Sequence, residues 1–275
     1  MGKSLATYWQ GKVAVVTGAS SGFGLALSRR LMHYGARIVA AARNEERLRD
    51  AFNCSDHAAP DASLAICPTD VTSAADCDRL TEQAIDRFGG LDAVFCCAGR
   101  SDRGRLTEID SARYRDLWEL NFLGTVQTVM PALPHLESSS GHVVLIGSLA
   151  SKVAGPYLGA YPSSKFPLAA FAQQLRLEIP SETLHVLLVC PGPIRRDEGE
   201  QRYDDRSGGL PESARRPGGG VRLKGIDPVW LSDRILGACV GRSIELIVPW
   251  KVRCLMALGA FAPRLADRII ARSMR

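Results

Sequence analysis

Seven short apolar runs recur along the chain, each long enough for one strand and each followed by a stretch long enough for a helix. They are Lys12 to Thr17, Ala36 to Ala42, Ser63 to Cys67, Leu91 to Cys96, His142 to Gly147, Leu184 to Cys190 and Ile244 to Pro249. Most are apolar nearly throughout instead of alternating with polar residues, as strands buried on both faces require. Helices are expected at about Phe23 to Tyr34, from Glu45, and at Ser73 to Phe88, Ser111 to Leu133, Tyr157 to Ile179 and Pro228 to Val240. Strands joined by helical crossovers build a parallel sheet covered on both faces. The expected fold is therefore α/β and doubly wound, with seven parallel strands in one domain over residues 1–250. Ligands of such sheets bind at the carboxyl ends of the strands.

Composition agrees: 46% hydrophobic and 23% charged residues in 275 describe a globular chain and exclude collagen, coiled coil and disorder. No stretch approaches the roughly 20 apolar residues that cross a bilayer. The opening MGKSLATYWQ lacks the apolar core of a signal peptide, so a cytoplasmic location is expected. Eight cysteines without CxxC spacing read as reduced, mostly buried thiols. The five histidines are scattered, are expected at the surface or in caps, and predict no metal site. A net charge of +5 is too mild to indicate a nucleic-acid partner. One stretch breaks the rhythm: 195–220 carries six acids against six arginines, with many Gly and Pro, and is expected to be a flexible lid or a disordered insertion.

TGASSGFG, Thr17 to Gly24, follows the first strand and opens the first helix. Gly18, Gly22 and Gly24 let the backbone turn and approach a pyrophosphate, which the helix amides around Ser20, Ser21 and Phe23 would meet. The second strand ends in Ala42-Arg43, where a NAD-selective site would present a carboxylate to the ribose. Arg43 can pair with a 2′-phosphate through its planar guanidinium, which favours NADP. The alternative is that Arg43 is a solvated helix-start cation and Glu45 or Glu46 reaches the ribose. Asp70-Val71, after the third strand, is placed to meet the adenine.

Ser148 follows the fifth strand, and thirteen residues later YPSSK supplies Tyr161 and Lys165. At i and i+4 on a helix these side chains face the same way, about 5 to 6 Å apart. A phenolate half-formed at neutral pH needs roughly 4 kcal/mol of preferential stabilisation, and a neighbouring ammonium is one source. Tyr161 would then donate its proton to a carbonyl oxygen, with Ser148 hydrogen-bonding the developing oxyanion. The pair alone could equally lie on a helix surface; its combination with Ser148 and the glycine turn gives it weight.

These motifs, with Asn121 in NFLG, Ala98-Gly99 and the PGPI of Pro191, Gly192 and Ile194, stand in the order and approximate spacing of the short-chain dehydrogenase/reductases. The resemblance spans about residues 8–250 and is to the single-domain members with a TGxxxGxG turn. It implies a Rossmann fold, a catalytic tetrad of Asn121, Ser148, Tyr161 and Lys165, and a helix kinked at Asn121. Ala98, Gly99, Pro191, Gly192 and Ile194 would line the cofactor with Asn121, Tyr161 and Lys165. It further implies a small-molecule carbonyl or alcohol substrate and a homodimer or homotetramer. Two positions depart from the family: Cys96-Cys97 replaces an Asn pair, and Arg196 stands where Thr or Ser is common. Cys96-Cys97 is expected to alter strand support without loss of catalysis; Arg195 or Arg196 would meet an acidic substrate or lie solvated on the lid.

The last 26 residues hold six bases and one acid, leaving 34 less six against 29 less one, a neutral body. Residues 251–275 are expected to form two short basic amphipathic helices split at Pro263. They would touch a membrane surface peripherally, or pack over the substrate mouth or a subunit interface. The leading expectation is an NADP(H)-dependent oxidoreductase of an apolar carbonyl or alcohol. The alternatives are a 3-oxoacyl thioester reductase and a non-catalytic NADP-sensing protein.

Overall fold

A computed structural model describes residues 4–53, 62–195, 209–215 and 223–273. Its seven strands are β1 (Val13–Thr17), β2 (Arg37–Ala42), β3 (Leu64–Pro68), β4 (Ala93–Cys96), β5 (His142–Ile146), β6 (His185–Pro191) and β7 (Glu245–Val248). All pair in parallel, in the order β3-β2-β1-β4-β5-β6-β7. The strand order reverses between β1 and β4, where such sheets open a crevice at their carboxyl ends. β1, β4 and β6 are buried at every residue, which is why their sequences are apolar except for Thr17 and His185 at strand ends.

One face is covered by α1 (Leu5–Trp9), α2 (Gly22–His33) and α10 (Pro228–Val240), with α3 (Glu45–Asn53) packing at β2 and β3. The other carries α4 (Ala74–Phe88), α5 (Ser111–Trp118), α6 (Gly124–Ser138), α7 (Tyr161–Lys165) and α8 (Pro167–Glu178). Beyond the sheet lie α9 (Glu212–Arg215), α11 (Val252–Phe261) and α12 (Pro263–Ser273). The tail thus forms two helices that divide at Pro263, as the sequence predicts.

Several expectations are revised. The helix expected over Ser111 to Leu133 is α5, a π-helical turn at Glu119–Leu123, and α6, which runs on to Ser138. The π-helical turn falls at Asn121, where the kink is expected, and Asn121 is fully buried. The helix expected from Tyr157 begins only at Tyr161, because Tyr157 and Gly159 take positive φ values of 62° and 57°. α1 was not expected, yet it sinks Trp9 fully into the core. Between 195 and 220, the strip 209–215 docks through buried Leu210 and Ala214 and includes α9. Residues 196–208 and 216–220, which include Arg196, lie outside the described residues.

Two histidines are also not at the surface. His142 and His185 open β5 and β6 in register and are buried. Nε2 of His185 meets the Ser243 carbonyl at 2.9 Å, so that nitrogen carries the hydrogen. Its Nδ1 then accepts from Nδ1 of His142 at 2.8 Å, and Nε2 of His142 accepts from the Tyr8 hydroxyl at 2.6 Å. Cys239 Sγ lies within 4.8 Å of the histidine ligand atoms. Every ring nitrogen is engaged in this chain, so neither histidine has a nitrogen lone pair to spare for a metal ion.

Candidate active site

The glycine turn is dictated by close backbone approach. A Cβ on Gly24 would stand 2.3 Å from the Gly18 carbonyl oxygen, so only glycine lets α2 begin this near β1. Gly18, at φ 68°, packs on Ala98, whose N–H donates to Thr17 Oγ1 at 3.1 Å. Ser21 begins α2 in extended backbone without capping it through its own side chain. The first amides of the helix remain available to an anion, and an anion there complements the helix dipole. Ser20 and Ser21 are half-buried in the same turn, whereas the ring of Phe23 is buried in the core. Phe23 therefore offers its backbone alone.

At the end of β2, Ala42 is half-buried and Arg43 exposed, and Arg43 has no ion-pair partner among the described residues. Glu45 is held by Arg49 at 2.6 Å, one turn along α3, so it is drawn away from the strand end. Asp70 Oδ1 is fixed by the Thr72 hydroxyl at 2.8 Å and the Thr72 N–H at 3.0 Å. Val71 is buried against Gly124, where a Cβ would meet its Cγ2 at 2.7 Å.

The remaining residues converge beside β4. Asn121 is fully buried; its Oδ1 accepts from the Arg100 N–H, and its Nδ2 donates to the Arg100 carbonyl, both at 2.9 Å. Nδ2 also donates to Ser164 Oγ at 2.8 Å, and Ser164 Oγ donates to the Tyr161 carbonyl at 2.8 Å. Lys165 Nζ donates to the Ile146 carbonyl at the end of β5, 3.0 Å away. A Cβ on Gly99 would stand 2.8 Å from Asn121 Oδ1 and 3.4 Å from Lys165 Nζ, so β4 exits directly against this pair. Burial pulls the Lys165 ammonium down to about 8. Tyr161, half-buried, opens α7 one turn before Lys165.

Ser148 follows β5 and caps the short turn Leu149–Ser151. Its Oγ accepts from the Ala150 N–H at 3.1 Å, which leaves the hydroxyl hydrogen to be donated. Pro191 is buried at the end of β6, Gly192 N–H donates to the Val248 carbonyl at 2.7 Å, and Ile194 bridges to Ile226. Arg195 pairs with Asp227, so it is engaged at the start of α10 and is not held out toward a ligand. Burial pushes the Cys96 thiol well up and Cys97 to about 12, which makes both inert at neutral pH. Thr17 and Ser164, which hold this arrangement together, lie within TGASSGFG and YPSSK but carry no role readable from the sequence: their contacts to Ala98 and Asn121 join distant segments.

The chain matches the sequence profile of the family described as short chain dehydrogenase over residues 12–207. It is 35% identical over 195 residues to 11-beta-hydroxysteroid dehydrogenase A of Sesamum indicum. That alignment covers 70% of this chain but 55% of the sesame protein, so the chain spans only about half of that relative's length. Among solved structures, a short chain dehydrogenase/reductase of Burkholderia phymatum in complex with NAD superposes with a TM-score of 0.79 at 22% identity, covering 94% of this chain and 95% of that one. A short chain dehydrogenase of Burkholderia cenocepacia in complex with NADP gives 0.75 at 23% identity, covering 95% and 98%.

Proposed function

The chain belongs to the short chain dehydrogenase family, and on that premise we propose that it is an NADP(H)-dependent oxidoreductase interconverting a carbonyl and a secondary alcohol on a largely apolar substrate. The observation that carries this reading is the Tyr161–Lys165 pair, with Lys165 buried and fixed to the β5 carbonyl beside Asn121. The glycine cradle and the uncapped start of α2 fit a dinucleotide pyrophosphate. Gly18, Ser20, Ser21, Gly22 and Gly24 would hold it, with Asp70 and Val71 toward the adenine and Ala98, Gly99, Pro191, Gly192 and Ile194 toward the nicotinamide. When bound, the nicotinamide supplies or removes the hydride.

Tyr161 transfers the proton: in reduction its hydroxyl donates to the carbonyl oxygen, and in oxidation its phenolate takes the alcohol proton. Lys165, cationic beside it, favours the phenolate. Ser148 donates its remaining hydrogen to the oxygen as negative charge develops there. Asn121 holds β4, the π-helical turn and α7 in one register through Arg100 and Ser164. The test is consumption of NADPH with a panel of apolar ketones and aldehydes. Activity is expected in the wild type and lost in Tyr161→Phe; activity unchanged in that variant would sink the mechanism.

The preference for NADP rests on Arg43, exposed at the end of β2, and on Glu45 being drawn off by Arg49. Arg43→Ala should raise the KM for NADPH about tenfold, one charge-assisted pair, and leave NADH nearly unchanged; equal effects would refute the phosphate role. The hydroxysteroid named for the sesame relative supports an apolar substrate.

Residues 1–250 form the catalytic domain in this reading, with the lid at about 195–220 and the tail as an extension. Trp118 on α5, Met130 on α6 and Leu177 on α8 are exposed, which supports a homodimer or homotetramer built on these helices. No helix among the described residues is long and apolar enough to cross a membrane. In the tail, Val252 and Met256 seat α11 on the core, while Phe261, Leu265 and Ile269 remain exposed beside Arg264, Arg268 and Arg272. That face supports a cytoplasmic protein with peripheral membrane contact through 251–275. Binding to anionic liposomes should disappear with those residues removed, and unchanged binding would overturn it.

A further inference from the structure

We propose that Asp102, clamped by Arg113, is a positioning residue that sets the start of α7 and thereby the distance of Tyr161 from Lys165; the proposal rests on the reading of Tyr161 as the proton donor. Asp102 lies in the loop after β4 and is 1% exposed, unusual for a carboxylate and a sign that its charge is matched. The match is Arg113 of α5, whose Nε donates to both carboxylate oxygens at 3.1 Å and whose Nη2 donates to Oδ1 and to the Arg103 carbonyl. Arg103, equally buried, donates to the Asp102 carbonyl at 2.6 Å and to the Ala214 carbonyl at 2.9 Å, which ties the segment to α9 as well as to α5.

Asp102 also accepts through Oδ2 from the N–H of Ala160 at 3.1 Å. Ala160 is the N-cap of α7 and the residue immediately before Tyr161. The loop leading there is shaped around the carboxylate. Gly159 takes φ 57°, and a Cβ on it would stand 2.2 Å from Oδ2. Gly104 strengthens the register by donating to the Tyr157 carbonyl at 3.2 Å and accepting from the Gly159 N–H at 3.3 Å.

Lys165 is anchored separately, to Ile146 on β5. The two members of the proton-transfer pair are thus fixed by different parts of the molecule. Loss of the Asp102 contact leaves Lys165 in place and removes one of two holds on the turn that carries Tyr161, the other being the Ser164–Asn121 link to its carbonyl. The consequence is a tyrosine that no longer feels the ammonium fully, hence a higher pKa in a folded protein.

The experiment is an ultraviolet titration of phenolate absorbance in the NADP+-saturated protein, read as the difference between each background with Tyr161 and the same background carrying Tyr161→Phe. The wild-type difference is expected to isolate one tyrosine step below the ordinary tyrosine range. Asp102→Ala should move that step up by about one unit or more. Asp102→Asn, which keeps an oxygen for the Ala160 N–H, should move it by less than half as much. Should Asp102→Ala not fold, Arg113→Ala, which unclamps the carboxylate, is expected to shift the step in the same direction. A folded Asp102→Ala or Arg113→Ala protein with an unchanged step, alongside a normal wild-type step, overturns the role of Asp102 alone. A wild type with no such step overturns the reading of Tyr161 itself, and the proposal with it.

Discussion

Strands β5 and β6 carry buried polar groups at both ends, and the two ends treat them oppositely. At the amino ends Tyr8, His142, His185 and the Ser243 carbonyl form a chain in which each donor has one acceptor. At the carboxyl ends Lys165 is buried with one hydrogen-bond acceptor among the described residues for its three hydrogens, and Ser148 keeps a hydrogen undonated there. A satisfied network is structure, while spare donors held in a dry place are what a reaction requires. Burial of titratable residues does not by itself mark an active site; unspent hydrogen-bonding capacity separates the two ends.

The strongest way to break this contrast is Lys165→Met. The ammonium is held down at about 8 by burial, against an ordinary value near 10.5. The folded state therefore binds fewer protons than the unfolded chain between those values, and below about pH 8 the charged lysine is a full penalty on folding. Removing it should raise stability at pH 7 by about 2 kcal/mol, after allowing for the lost bond to Ile146. Activity should fall by roughly 10²- to 10⁴-fold. Thermal melting and NADPH oxidation read the two effects; a destabilised variant would mean that Lys165 is structural, like the histidines. Ser148→Ala should lower kcat by about 10²-fold, the loss of one oxyanion donor, with cofactor affinity unchanged.

Part of the candidate site at the carboxyl ends could be proposed from the sequence because those residues are local, whereas Asn121 entered only through the family resemblance. Gly18 to Gly24 lie in one turn, and Tyr161 and Lys165 lie one helical turn apart, so spacing alone places them. The amino-end chain was not legible. Tyr8, His142 and His185 come from α1, β5 and β6, and only the parallel register His142↔His185 makes them neighbours. Asp102 escaped for the same reason: nothing in the sequence around it says that Arg113 and Ala160 will close on it. The shift of helix starts from Tyr157 to Tyr161 arose from positive φ at Tyr157, which composition does not signal at a non-glycine residue.

Acid separates the two ends by stability. Burial pulls His142 down to about 3 and His185 to about 4, so both are neutral when folded, whereas unfolded histidine titrates near 6.5. Below that value the unfolded chain binds more protons, so stability is full above about pH 6.5 and declines as pH falls toward 4. Each histidine removes about 1.4 kcal/mol by pH 5.5, one unit below the unfolded value. Denaturant melts at pH 7.5 and 5.5 measure this. A His142→Asn/His185→Asn double variant, less stable at the upper pH, should show a much flatter dependence; an unchanged slope would locate the acid response elsewhere.

The smallest effect tests the direction of the chain. The Ser243 carbonyl can only accept, so His185 must be the Nε2–H form and His142 the Nδ1–H form, with Tyr8 as donor. Burial raises the Tyr8 pKa, which keeps its hydroxyl hydrogen in place at neutral pH. Tyr8→Phe then removes one donor and leaves one ring nitrogen unpaired, a loss of about 1 kcal/mol with activity within twofold of wild type. Nitrogen NMR should assign opposite tautomers to the two rings in the wild type. The same tautomer on both would mean two donors or two acceptors facing each other at 2.8 Å, which a neutral pair does not sustain.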